Sequence, residues 1–247
     1  MSAVYESEKV LAEYLMFHFG SRDEVLPEGV EWPVGMVGAL GFAERTARWF
    51  SAGEVARGLD LGCAVGGSSW EMARGCREVV GIDFSRAFID AAECLRRGEG
   101  ISYGRMEEGN VRTGLVARVG EEVAGLAERI RFEVGDAMDL RGDLGDFDRV
   151  HAANLICRLP EPERLLGRLA GLVRAGGELV LATPCTWLEE FTARGNWPEG
   201  GTFDWLEERL GRDFVLERRG EEAFLIRETA RKFQWSSSMV MLWRRKG

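Results

Sequence analysis

One stretch of the chain combines acidic, small and hydroxyl side chains at a spacing suited to holding a ligand. It reads Leu59-Asp60-Leu61-Gly62-Cys63-Ala64-Val65-Gly66-Gly67-Ser68-Ser69. An apolar run enters small residues and leaves as a helix, so the backbone can turn tightly and approach a ligand with no side chain in the way. The helix start presents free N–H groups. A second apolar run, Val79–Ile82, ends in Asp83, and a third ends in Gly135-Asp136-Ala137. A carboxylate after the second strand of such a unit can accept hydrogen bonds from the two hydroxyls of a ribose. The acid after the third can face an exocyclic amine. Three strand ends would then share one nucleoside-type ligand at the carboxyl edge of an open sheet, where α/β folds bind their ligands.

The loop itself narrows the choice of ligand. A dinucleotide site uses Gly-x-Gly-x-x-Gly to admit a pyrophosphate. Here the spacing is Gly62-x-x-x-Gly66, with Ala64 at the middle position and Asp60 just before it. A nearby carboxylate disfavours a pyrophosphate and favours an ammonium group. Further chemistry-bearing residues follow the fourth and fifth apolar runs. Asn154 opens Asn154–Pro160, Trp187 and Glu189 lie in Thr183–Phe191, and Arg227 and Lys232 lie in Phe224–Trp235. Tyr14 and His18 are one turn apart on an apolar helix face, where core packing explains them as well as ligand contact does. Surface ion pairs are the plain explanation for Glu189, Arg227 and Lys232, core packing for Trp187 and Trp235, and a helix cap or Asx turn for Asn154. His151, inside an apolar run, reads as a satisfied core histidine rather than a base. Cys63 matters for its backbone more than for its thiol.

The elements that must position these residues are legible from periodicity. Helical spacing marks Tyr5–Phe19 and a second helix over Val37–Phe50, with Pro27, Gly29 and Pro33 breaking the chain between them. Apolar runs ending at Leu61, Ile82, Val134, Ala152 and Ala182 read as buried strands. Helices are expected over Ser68–Arg74, Arg86–Arg97, Gly114–Ala127 and Glu161–Val173, the third within an insertion after Gly98. This alternation predicts an α/β fold, a Rossmann-like, doubly wound, mostly parallel seven-stranded sheet. A helix over Phe203–Leu210 and strands over Phe214–Arg219 and Met239–Arg244 predict an antiparallel edge hairpin. The organisation expected is one domain over 1–247, with an N-terminal helical cap (1–55), a ligand-binding core (56–183) and a substrate-side segment with edge strands (184–247).

Composition sets the outer limits. The 247 residues include 45% hydrophobic and 30% charged residues, which suit a folded globular chain rather than a disordered one. With 32 basic against 41 acidic residues, net −9, the chain lacks the basic excess that nucleic-acid or anionic-membrane binding needs. No apolar run approaches the roughly 20 residues that span a bilayer. Five widely spaced cysteines without a C-x-x-C pair, and two histidines, predict no metal site and a reducing, cytoplasmic setting.

The loop and the three strand-end acids resemble the class I S-adenosylmethionine-dependent methyltransferases. That resemblance implies S-adenosylmethionine as cofactor, held by Asp60, Gly62, Cys63, Ala64, Gly66, Asp83, Phe84, Asp136, Ala137 and Asn154. Tyr5–Ser7, Tyr14–Gly20, Gly81–Ala92, Ala153–Pro162, Thr186–Phe191 and Ile226–Trp235 make the chain similar to a narrower family, the methyltransferase of ovothiol biosynthesis. That domain usually lies C-terminal to an iron-dependent sulfoxide synthase, which this sequence does not contain. The narrower resemblance implies transfer of a methyl group to a ring nitrogen of 5-thiohistidine, giving ovothiol A, after a separate sulfoxide synthase and lyase. Asn154, Tyr14 and His18 would then face the ring and thiolate. Arg227, Lys232 and Glu189 would anchor the substrate's charges, and Trp187 would wall the pocket. A methyltransferase for another small thiol, imidazole or amino-acid metabolite, or a non-catalytic binding module, are the other readings.

Overall fold

A computed structural model describes residues 3–26 and 28–247. Pro27, one of the expected breakers, lies outside them, as do Met1 and Ser2. The N-terminal region comprises a single 3-10 turn (Ala3–Glu6) and helices α1 (Glu8–Phe19), α2 (Arg22–Val25), α3 (Val34–Val37) and α4 (Phe42–Ala47). The core follows as β1 (Val55–Leu61), α5 (Gly67–Met72), β2 (Cys76–Asp83), α6 (Arg86–Arg96), β3 (Ile101–Glu108), β4 (Val111–Ala117), α7 (Glu121–Ala124), β5 (Ile130–Val134), β6 (Phe147–Ala153), α8 (Pro162–Leu172) and β7 (Val173–Thr183). The chain closes with α9 (Thr202–Leu210), β8 (Phe214–Arg227) and β9 (Phe233–Arg245).

Seven strands form one sheet in the order β5-β2-β1-β6-β7-β9-β8. The first five are parallel, and β9 and β8 join antiparallel at one edge. The apolar runs explain this arrangement: Leu59, Leu61, Val80, Val150, Leu179 and Leu181 are almost wholly buried, as expected of parallel strands covered on both faces. The strand order reverses between β1 and β6, so the carboxyl ends of these two strands open a crevice. Among the described residues no helix is long and apolar enough to cross a membrane.

Three expected elements differ. Of the helix expected over Gly114–Ala127, the first four residues end β4 and only Glu121–Ala124 is α-helical. Thr113, Leu115 and Ala117 alternate with period two, and β4 pairs with β3 in a separate two-stranded sheet. Of the helix expected over Val37–Phe50 only Phe42–Ala47 is helical, because α3 ends at Val37 and Gly41 takes a left-handed φ of 68° before the chain restarts at Phe42. The strand expected over Phe214–Arg219 continues to Arg227, lengthened by its pairing with β9.

Candidate active site

The Gly-rich loop is built from backbone bonds first. The N–H groups of Gly62 and Cys63 both donate to the Ile82 carbonyl, at 2.8 and 3.2 Å, and Gly66 N–H donates to Cys63 O at 2.9 Å. Cys63 N–H is therefore spent within the fold, and burial pushes the Cys63 thiol well above its usual range. Gly66 has φ 94°, and a Cβ there would stand 2.6 Å from the Phe132 ring, so the position admits only glycine. Ala64 also adopts a left-handed backbone, φ 49°, at a cost of roughly 1–2 kcal/mol that a glycine would escape.

The three strand-end acids have different surroundings. Asp60 is 1% exposed. Its Oδ2 accepts from the Ser68 and Ser69 hydroxyls at 2.7 and 2.6 Å, and its Oδ1 lies 2.8 Å from His151 Nδ1. Burial pushes its carboxyl up, but the bonds from His151, Ser69 and Ser68 outweigh this and hold it below the usual range. Asp60 thus braces the loop from behind and is not among the residues that line the cavity. His151 is held in turn by Thr46 Oγ1, 3.1 Å from Nε2. Asp83 faces the crevice. Its Oδ2 accepts from Ala64 N–H and its Oδ1 from Ser85 N–H, both at 2.9 Å. Burial raises it to about 6 against these two bonds. Each of its oxygens keeps a lone pair for a ligand. Asp136 accepts from Met138 N–H at 2.8 Å and shapes its own turn, while its neighbours Gly135 and Ala137 line the cavity.

The cavity encloses about 400 Å³, within the usual range for small-molecule sites. Gly62, Ala64, Asp83, Phe84 and Ala137, from the loop and the strand ends, line it together with Tyr14, His18 and Asn154. Aromatic rings make a continuous wall: Tyr5 lies 6.0 Å from Phe88 and 6.1 Å from Phe191, and Tyr14 lies 4.8 Å from Phe88. His18 Nδ1 accepts the Gly67 N–H at 3.0 Å, which places the ring proton on Nε2. Burial lowers His18 to about 4, so it stays a neutral N–H donor at ordinary pH. Burial also raises the Tyr14 hydroxyl, which stays protonated. Asn154 ends β6 in a left-handed conformation, φ 54°, which asparagine tolerates better than most residues.

Four of the residues expected to meet the substrate stand elsewhere. Arg227 is buried at the far end of β8, where it donates to Glu107 Oε2 at 2.6 Å and to Val25 O at 3.1 Å. It ties three elements together and lines a second hollow between α1 and β3, not this cavity. Trp187 packs edge-on against Trp205 at 5.8 Å, with Nε1 on Thr202 Oγ1. Glu189 is exposed and pairs with Arg194. Lys232 is exposed and pairs with Glu228. The charged groups that do line the cavity include Arg158 and Lys9 as cations and Glu13 and Glu228 as acids, beside Asp83. Arg158 donates to Thr186 O at 2.8 Å and stacks 4.9 Å over the Phe191 ring. It lies inside the Asn154–Pro160 segment, but sequence alone offered no way to rank it above Arg227.

A crevice at the strand-order reversal, with a glycine-rich loop after β1 and a carboxylate after β2, defines a nucleoside-binding α/β domain, and the acidic, aromatic lining fits a sulfonium nucleoside. Residues 59–181, half of the chain to within a residue, match the family model of a methyltransferase domain. Methyltransferase GfsG of Streptomyces halstedii is 27% identical over 124 residues, covering 50% of this chain and 36% of that protein. The chain thus spans about a third of this relative's length. The N-methyltransferase NodS from Bradyrhizobium japonicum WM9, solved with S-adenosyl-l-homocysteine, superposes with TM-score 0.56 at 15% identity, covering 96% of this chain and 99% of that one. The [4+2]-cyclase SpnF superposes with TM-score 0.54 at 16% identity over 83% and 80% of the two chains, so the fold by itself does not dictate the reaction. The chain carries a class I S-adenosylmethionine-dependent methyltransferase domain, with S-adenosylmethionine as its cofactor.

The residues present fit that cofactor. Asp83 offers two acceptor lone pairs to a vicinal diol. At Gly62 a Cβ would fill space 3.0 Å from Leu155 Cδ1, so the backbone itself forms the wall. Aromatic faces and carboxylates suit a positively charged sulfur.

Proposed function

We propose that the protein is an N-methyltransferase acting on a ring nitrogen of 5-thiohistidine to give ovothiol A. The observation that carries this reading is the lining of one small cavity. An aromatic wall suits a planar ring, Asn154 stands at the end of β6, and Arg158 and Lys9 on one hand and Glu13 and Glu228 on the other offer partners for a zwitterion. The segments that resemble the ovothiol methyltransferase supply several of these residues, among them Tyr5, Tyr14, Asn154, Arg158 and Glu228.

The cofactor supplies an electrophilic methyl carbon on a cationic sulfur. The side chains of this chain must then bring a ring-nitrogen lone pair to about 3 Å from that carbon, in line, and keep water out. Tyr5, Phe88 and Phe191 exclude water. Tyr14 and the neutral His18 donate hydrogen bonds without competing for the methyl group. No strong base is required, because the ring proton on the other nitrogen leaves after transfer. Arg158 replaces Arg227 and Lys232 as the anchor for the substrate carboxylate, and Glu13 replaces Glu189 for its ammonium.

The test is an assay of 5-thiohistidine against histidine, with S-adenosylhomocysteine release measured and the methyl position fixed by NMR. Methylation of 5-thiohistidine on a ring nitrogen is expected. Release from histidine or another imidazole amino acid, with none from 5-thiohistidine, overturns the reading.

A further inference from the structure

Ser238 is fully buried in β9, one residue before Met239, which pairs with Thr183 at the end of β7. Strand β9 therefore extends past β7, and its Ser238 side chain reaches the residue that follows β6. Ser238 Oγ lies 2.7 Å from Asn154 Oδ1. That separation is usual for O–H···O and short for an amide N–H···O, so the hydroxyl donates and the amide oxygen accepts. The backbone holds the other end, with Asn154 N–H donating to Ala182 O at 2.8 Å. With Oδ1 turned to Ser238, the amide NH₂ is the donor end that Asn154 can offer the cavity it lines.

We propose that Ser238 is a positioning residue that sets the polarity of the Asn154 amide, so that the site reads a hydrogen-bond acceptor on the substrate. The inference rests on the thiohistidine reading and sharpens it. A neutral imidazole that attacks through one nitrogen presents N–H at the other, which cannot pair with an amide NH₂. A thiolate sulfur on the same ring is an acceptor. The Asn154 amide then holds the sulfur and leaves the attacking nitrogen its lone pair, and a plain imidazole is rejected for want of an acceptor.

Three variants test it, with S-adenosylhomocysteine affinity by calorimetry as the control for an intact fold. Ser238→Ala should lower kcat/KM for 5-thiohistidine about 10- to 100-fold and narrow its preference over histidine, with cofactor affinity unchanged. Ser238→Thr, which keeps the hydroxyl, should restore both. Asn154→Asp tolerates the same backbone and still accepts from Ser238, but loses both donors. It should lose turnover of 5-thiohistidine, whereas an amide that accepts from a ring N–H would let it work. Wild-type turnover in Asn154→Asp, or an unchanged substrate preference in Ser238→Ala, overturns the proposal. A wild-type enzyme inactive on 5-thiohistidine instead removes the thiohistidine reading, and Ser238 is then judged by NMR of the cofactor-product complex. There the Asn154 side-chain NH₂ pair should be sharp and single in wild type and broadened or doubled in Ser238→Ala. Identical pairs in the two proteins overturn the positioning role whatever the substrate.

Discussion

Asp60, Asp83 and Asp136 look alike in the sequence, each an acid at a strand end, yet the fold gives them three tasks. Asp60 is engaged by Ser68, Ser69 and His151, Asp136 holds its own turn through Met138 N–H, and of the three only Asp83 lines the cavity. Asp83 therefore carries the pH dependence of cofactor binding. Burial raises it to about 6, so the empty folded protein loses stability as pH climbs from the unfolded value near 3.8 toward 6. Ribose hydroxyls donate to the ionised carboxylate and relieve that penalty, so binding releases a proton. Affinity for S-adenosylhomocysteine should be flat above about pH 7 and weaken by up to about tenfold per pH unit below 6. Asp83→Asn should bind more weakly and without this slope. Calorimetry across that range checks both, and a pH-independent wild type would remove Asp83 from the ribose. His18 does not confuse the profile near neutrality, since it titrates at about 4.

At the scale of elements, the long β8–β9 hairpin does two jobs. Its middle places Ser238 beside Asn154, and its tip is tied down by Arg227 to Glu107 of β3 and to the Val25 carbonyl of α2. Arg227 is 2% exposed, so Arg227→Ala strips Glu107 Oε2 and the Val25 carbonyl of a buried donor, while Arg105 and Thr113 still hold Glu107 Oε1, and should cost about 1–3 kcal/mol of stability. Denaturant titration should show that loss, while KM of the folded fraction changes little. Arg158→Ala should behave the other way, raising KM with kcat and stability nearly preserved, as expected for a charge held alike in ground and transition states. A large KM effect in Arg227→Ala with normal stability would return that residue to the substrate site. The hairpin's extent was not legible in the sequence, because Arg218–Glu222 is a polar run and only its pairing with β9 makes it strand. The β3–β4 hairpin was misread for a related reason: Val111–Ala117 exposes most of its side chains, so its alternation carries no strong apolar contrast.

For the whole molecule, the cofactor cavity draws on the N-terminal turn, α1, α4, α6, the β6 and β7 ends and β8, so filling it should stabilise all of these together. Product at about 100 times its Kd should add about 2.7 kcal/mol, a rise in Tm of roughly 5–10 °C for a chain of this size. Thermal scanning with S-adenosylhomocysteine checks it, and Asp83→Asn should shrink the shift at equal ligand concentration. The parallel strands with their antiparallel edge hairpin, the glycine loop and the acids at the strand ends were readable from the sequence, because each depends on local periodicity or on adjacent residues. Which acid meets a ligand, which arginine lines the cavity and which way the Asn154 amide points were not. Those depend on partners far apart in the chain, such as Asp60 with His151, Arg227 with Glu107 and Asn154 with Ser238. Only the pairing of β1 with β6, the approach of β8 to β3 and the run of β9 beyond the end of β7 bring them within hydrogen-bonding distance.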